Sequence, residues 1–353
     1  MNLETVNYLY GRTKNPYDTN RGPGGSSGGE SSLIGAGGSV IGLGNDLLGS
    51  LRNPAHFCGI FGHKSTPDLV SNKGCCPPER LEKMQGIYNI LEVGPMCRYA
   101  EDLVTTMRVL AVRNEEVRRT IGKPVDFKKL KILYLTDMGM YLMCPIRKDI
   151  IEAMKNVGSY FNTRYGVEYK EIKLPYLRKL PKCLASEVLQ QLPDISSAIL
   201  EGIGKPLNLK WDFIKSIFGK SALTFTVNLI MNLVELPLFY RKSENSYYKK
   251  MLQEVVKCFD DLLDENTVLL LPSFPTTALY HHEFMFYSIT NFPYAGLFNV
   301  LRLPATQCQI GYDNEGLPYG IQIIGRKNND NLTIACAVEL EKAFGGWISP
   351  SKV

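Results

Sequence analysis

The chain has 353 residues, 44% of them hydrophobic and 21% charged, with a formal net charge of +5. That composition excludes a disordered chain. Its scattered Lys and Arg describe a solvated surface with no nucleic-acid partner. The nine cysteines include no CxxC pair and the four histidines no HExxH spacing, so neither a zinc ribbon, a redox dithiol nor a metalloprotease site is supported, and no cofactor is expected.

In chain order, the first 20 residues are polar and turn-rich. They lack a basic segment followed by an apolar run, so no signal peptide is expected, and with reduced thiols the expected location is intracellular. Residues 22–62 carry many glycines and serines, yet Leu33, Ile34, Val40, Ile41, Leu43, Leu47, Leu48 and Leu51 are threaded through them. A flexible linker carries no such apolar load. The stretch reads as a packed loop–helix–strand–loop, with a short helix near 29–37 and a strand over 40–43. Pro77 and Pro78 mark a loop. Residues 96–112 have helical spacing, with Leu103, Met107, Leu110 and Ala111 on one face. Residues 131–135 read as a strand. Residues 147–166 read as a helix with Ile150, Ile151, Met154, Val157 and Phe161 in one stripe, closed by Gly166, and a strand follows.

Residues 176–264 are mostly helical in pattern. Within them, 221–240 are apolar but interrupted by Asn228, Asn232, Glu235 and Pro237. A core helix and an interfacial segment touching lipid are both open readings, and no stretch is long enough to span a bilayer. Residues 267–272 and 317–325 are short continuous apolar runs, the pattern of buried strands. An amphipathic helix from about Asp330 closes the chain. Strands alternating with helices, some strands wholly apolar, predict a single α/β domain over 1–353 around a largely buried mixed sheet.

Three chemistries compete for the Gly/Ser region. Gly24 to Ser31 has the spacing of a phosphate loop, but Glu30 stands where that loop needs a lysine, and a carboxylate there repels phosphate. Gly24-Gly25-Ser26-Ser27-Gly28 matches the G-x-S-x-G nucleophile elbow literally, but no strand precedes it. The third reading uses two serines, Ser26 in one glycine turn and Ser50 in another. A helix and a strand between them bring the turns to one sheet end. Ser50 also precedes a predicted helix, whose free N–H groups suit an oxyanion.

The string from Gly24 to Thr66, with "GPMCRYAEDL", "LLLPSFPTTA", "LPATQC…GLPYGIQIIG" and "LEKAFGGW", strongly resembles the amidase signature family, nearest its animal fatty-acid amide hydrolase branch. The resemblance covers essentially the whole chain. It implies an α/β/α sandwich around a large twisted mixed sheet and a Ser–cis-Ser–Lys triad. By position, Ser50 corresponds to the nucleophile and Ser26 to the bridging serine on a cis peptide. The N–H groups of Leu47, Leu48, Gly49 and Ser50 correspond to the oxyanion hole, with Ser27, Asp46 and Arg52 in support. It further implies a lipophilic acyl amide as substrate, contact with a membrane surface, and a homodimer as a candidate assembly. The chain departs from the family pattern at Asn45, Leu48 and Ser65, and Leu48 is strained if its position demands a positive φ. Its segment corresponds to the C-terminal two-thirds of the family pattern, incomplete at the N-terminus. The triad lysine has no counterpart: Lys14 and Lys64 match other positions. An inactive member that binds a lipid or a protein partner is the competing expectation.

Overall fold

The computed structural model describes residues 4–75, 90–140, 143–187, 208–234 and 244–352. The strands are β1 (Val6–Asn7), β2 (Gly11–Arg12), β3 (Ile41–Asp46), β4 (Phe61–Lys64), β5 (Glu92–Cys97), β6 (Lys131–Tyr134), β7 (Glu168–Glu171), β8 (Thr267–Leu271), β9 (Ala305–Tyr312) and β10 (Pro318–Ile324). The α-helices drawn on below are α1 (Gly28–Gly35), α2 (Arg52–Phe57), α3 (Ala100–Leu110), α4 (Glu115–Thr120), α5 (Lys148–Tyr165), α6 (Leu209–Ile217), α7 (Phe225–Val234), α8 (Asn245–Leu262), α9 (Phe284–Asn291), α10 (Pro293–Val300) and α11 (Asp330–Phe344).

Strands β1 and β2 form a hairpin, and the other eight form one sheet in the order β3-β5-β4-β9-β10-β8-β6-β7. Strand β6 runs parallel to both β7 and β8, while every other neighbouring pair is antiparallel, which makes the sheet mixed as expected. The apolar run in β8 shows why both faces must be covered. Successive side chains point to opposite faces. Val268 and Leu270 enter a core with α3, α5 and α11, whereas Leu269 and Leu271 enter a second core with α8 and α10. The result is an α/β/α sandwich.

Of the predicted stripe on α5, Ile150, Met154, Val157 and Phe161 are buried and Ile151 is half-buried, and Gly166 closes the helix at φ 72°. The glycine takes the left-handed cap without the clash a Cβ would bring. One boundary moves. Met96 and Cys97 belong to the end of β5, and the helix expected from residue 96 starts at Ala100. Apolar spacing alone does not mark where a buried strand hands over to a helix. Pro77 and Pro78 lie outside the described residues, as do Glu235 and Pro237. Among the described residues, no helix is long and apolar enough to cross a membrane.

Candidate active site

The Gly/Ser region forms α1, β3 and α2 with two turns between them, close to the expected loop–helix–strand–loop. The first turn holds a cis peptide bond between Gly25 and Ser26. Gly24 enters it at φ 82°, and a Cβ there would come within 2.8 Å of the Phe57 ring and 3.2 Å of the Pro54 backbone. Glycine is therefore required for this turn to lie on α2. Thr5 Oγ1 donates to the Gly24 carbonyl at 2.9 Å, and Asn15 Nδ2 donates to the Phe57 carbonyl at 2.7 Å, tying the segment that precedes Ser26 to the end of α2.

The second turn, residues 47–50, follows β3. The two turns meet directly: the Ser27 N–H donates to the Ser50 carbonyl at 3.1 Å. Ser27 Oγ also accepts from the Asn45 N–H at 3.3 Å. Ser26 is exposed and Ser50 half-buried at this junction. The left-handed conformation falls on Gly49 (φ 103°) and not on Leu48, whose side chain instead lies over Gly296 of α10. The strain anticipated for Leu48 does not arise.

Asp46, at the end of β3, holds the turn. Its Oδ1 accepts from the Gly49 N–H at 2.7 Å, and its Oδ2 accepts from the Leu51 and Arg52 N–H groups, both at 3.3 Å. Arg52 grips the same carboxylate through Nε at 2.9 Å and Nη2 at 3.0 Å. The pair is fully buried on both sides. Burial alone would push the Asp46 carboxyl up, but Arg52, then Lys64 and the Gly49 N–H, outweigh it and bring it to about 2. The remaining Arg52 donors reach Gln322 Oε1 at 2.7 Å and Asn299 Oδ1 at 2.6 Å. Asn299 Nδ2 returns to the Asp46 carbonyl at 2.8 Å. A buried ion pair is favourable only when its remaining donors and acceptors are filled, and here Asn299 and Gln322 fill them.

One expected donor is thereby removed. The Gly49 N–H, assigned to an oxyanion hole, is held by Asp46. Among the described residues, the N–H groups of Leu47, Leu48 and Ser50 have no acceptor within the protein. Three backbone donors on one turn can receive a developing negative oxygen.

Two lysines, Lys14 and Lys64, flank the Gly/Ser region in sequence. Lys14 is exposed, and its carbonyl accepts from Ser32 Oγ at 2.7 Å. Lys64 is fully buried in β4, with its ammonium donating to the Ser65 carbonyl at 3.1 Å. Neither is hydrogen-bonded to Ser26 or Ser50. Residues that sequence reasoning missed include Asn299, Gln322 and Asn53. The Asn53 carboxamide is buried beside Gly49, and neither its oxygen nor its nitrogen has a hydrogen-bond partner. No group of metal-binding side chains occurs among the described residues.

Comparison with known proteins matches residues 1–334 to the Amidase family model. Fatty-acid amide hydrolase 2-A of Danio rerio is 39% identical over 357 residues, covering 99% of this chain and 65% of the relative. Fatty-acid amide hydrolase 2 of Homo sapiens is 37% identical, with coverage of 99% and 65%. The chain thus spans just under two thirds of the length of these curated relatives. Among solved structures, a fatty acid amide hydrolase superposes with a TM-score of 0.68 at 21% identity, covering 98% of this chain and 64% of that one. A 6-aminohexanoate cyclic dimer hydrolase superposes with a TM-score of 0.74 at 20% identity, covering 97% and 72%.

Proposed function

The chain belongs to the amidase family, and from that membership we propose that it is built to cleave the amide bond of lipophilic acyl amides through an acyl-enzyme on Ser50. The observation that carries the reading is the Ser50 turn, held by a buried ionised Asp46 and leaving backbone N–H groups without acceptors.

In this reading the Ser50 hydroxyl attacks the substrate carbonyl and its proton passes to Ser26. The tetrahedral oxyanion is received by the N–H groups of Leu47, Leu48 and Ser50. Collapse expels the amine, which takes up a proton, and water then releases the acid from Ser50. Asp46 and Arg52 act through the backbone: they fix the turn so that its donors need no reorganisation as charge develops. Ser27 supports Ser26 by joining its turn to the Ser50 carbonyl and to Asn45. Fatty-acid amides as substrates are suggested by the names of the relatives. Exposed Trp211, Phe218 and Phe225 around α6 and α7 supply an apolar face suited to a membrane surface.

The relay from Ser26 needs a final base, and neither Lys14 nor Lys64 bonds to it. That observation favours a second reading, a family member that binds acyl amides or a partner without turning them over. Hydrolysis of a long-chain acyl amide by the purified chain, set beside Ser50→Ala, separates the two. Turnover lost in Ser50→Ala supports the hydrolase. Turnover retained in Ser50→Ala refutes Ser50 as nucleophile, and saturable binding without turnover supports the second reading.

A further inference from the structure

Beneath the Ser50 turn lies a buried charged face that neither reading employs. Glu92 of β5 stands directly opposite Asp46 of β3, and residues so paired share a sheet face. Gly62 of β4 is opposite Met96 of β5, so Lys64, two residues on from Gly62, lies on that face too. Leu51, the residue after Ser50, drops its side chain onto it. Added Cβ atoms at Gly44, Gly62 and Gly94 would meet Leu51 at 3.2, 2.7 and 3.4 Å. Lys64 and Glu92 are both buried. The two Glu92 carboxyl oxygens have no hydrogen-bond partner, and Lys64 donates to the carbonyl of its own neighbour, Ser65. A buried carboxylate without partners is strongly disfavoured.

We propose that Lys64 and Glu92 form a proton-holding pair that positions the Ser50 turn from beneath, acting through Asp46 and Leu51. Both are positioning residues, and neither reaches substrate. The groups facing Lys64 are Arg52, Glu92, Asp46 and Asp330; those facing Glu92 are Lys64, Asp68, Arg302 and Asp330. Asp330 is itself held by His63 at 3.1 Å and by Thr66 Oγ1 at 2.6 Å. Burial pushes Glu92 up to about 8 and Lys64 down to about 8. At neutral pH the pair therefore holds both protons, and the Lys64 ammonium joins Arg52 in stabilising ionised Asp46. As pH rises through about 8, the pair gives up both protons to solvent and its net positive charge is lost. The hold of Asp46 on the Gly49, Leu51 and Arg52 N–H groups then weakens. The functional meaning rests on the Ser50 reading; the structural coupling does not.

The sign of the stability effect follows from linkage. Glu92 is raised from 4.5 to about 8, so between those values the folded chain binds the extra proton and stability falls as pH rises. Lys64 is lowered from 10.5 to about 8, so above 8 the unfolded chain binds the extra proton and stability rises again. The test uses the intact chain, Glu92→Gln, Lys64→Met and the double variant, with no activity assay. Two quantities are followed across this range: the thermal midpoint, and amide exchange of residues 47–52 corrected for intrinsic rates, with α5 as reference. The wild type is expected to show a stability minimum near pH 8 and a several-fold loss of protection in 47–52 above it, with α5 unchanged. Glu92→Gln removes the falling limb and moves the loss of protection to lower pH. Lys64→Met and the double variant remove the rising limb and leave protection in 47–52 low and independent of pH. A pH profile of 47–52 unchanged in Lys64→Met, or equal changes in α5, would overturn the proposal. Absence of hydrolysis would bear only on the Ser50 reading.

Discussion

Replacing Asp46 by Asn tests what holds the Ser50 turn. The change keeps shape and volume but converts one carboxylate oxygen into an NH2 group. Oδ1 accepts from Gly49 N–H, Arg52 Nη2 and Asn299 Nδ2, and Oδ2 accepts from the N–H groups of Leu51 and Arg52 and from Arg52 Nε. Whichever way the amide is turned, its NH2 faces three donors. The variant also leaves the Arg52 guanidinium buried without its counter-ion. Removing one partner of a buried pair costs about 3–5 kcal/mol, a large part of the roughly 5–15 kcal/mol that keeps a domain folded. The assay is equilibrium urea unfolding, read as a shift in midpoint at constant slope. Amide exchange across 47–52 is expected to rise beyond the global loss. A destabilisation below about 1 kcal/mol would refute the claim that this buried pair anchors the turn.

Further outcomes follow from the same geometry. Gly49→Ala forces a Cβ within 2.5 Å of Ala295 Cβ and 2.8 Å of Asn53 Nδ2 at φ 103°; it is expected to destabilise the fold by about 1–3 kcal/mol in urea unfolding, and an unchanged midpoint would contradict the close packing of the turn on α10. His56 is buried in α2, with its Nδ1 accepting from the Gly320 N–H at 3.1 Å and its Nε2–H donating to the Thr276 carbonyl at 3.0 Å. Burial lowers it from 6.5 to about 4, so the unfolded chain binds the extra proton between those values and stability is lost as pH falls from 6.5 towards 4. His56→Gln is expected to flatten that limb of the urea midpoint against pH, and an unaltered limb would place its origin elsewhere.

Much of the fold was legible because burial writes itself into the sequence. The continuous apolar runs of β8 and β10 have both sheet faces covered, and they read as such. Gly166 marks the end of α5 because a left-handed cap favours glycine. The handover from β5 to α3 was not legible, since Met96 and Leu103 are apolar for different reasons: one faces α2 from a strand, the other lines a helix. At the candidate site, Ser26, Ser50, Asp46 and Arg52 were visible as a motif. What Asp46 does with the Gly49 N–H was not, because that depends on the path of the turn. Asn299 and Gln322 lie some 250 residues away in sequence from Arg52, and only the sheet brings them together. Their signal was present but general: a polar side chain inside "LFNV" or "IQII" is stable when buried only if it finds a partner. Glu92 carried the same signal at the start of β5, and its partner in register, Asp46, became apparent only from the strand pairing.

The central claim is that Ser50 sits in a turn built to make it a nucleophile. The most direct measurement is reaction of the intact 353-residue chain with a serine-directed fluorophosphonate, followed by mass-spectrometric mapping of the adduct. The account predicts one modified residue, Ser50, with labelling abolished in Ser50→Ala and weakened in Asp46→Asn. An adduct on another residue, or no adduct on a folded chain, would contradict it.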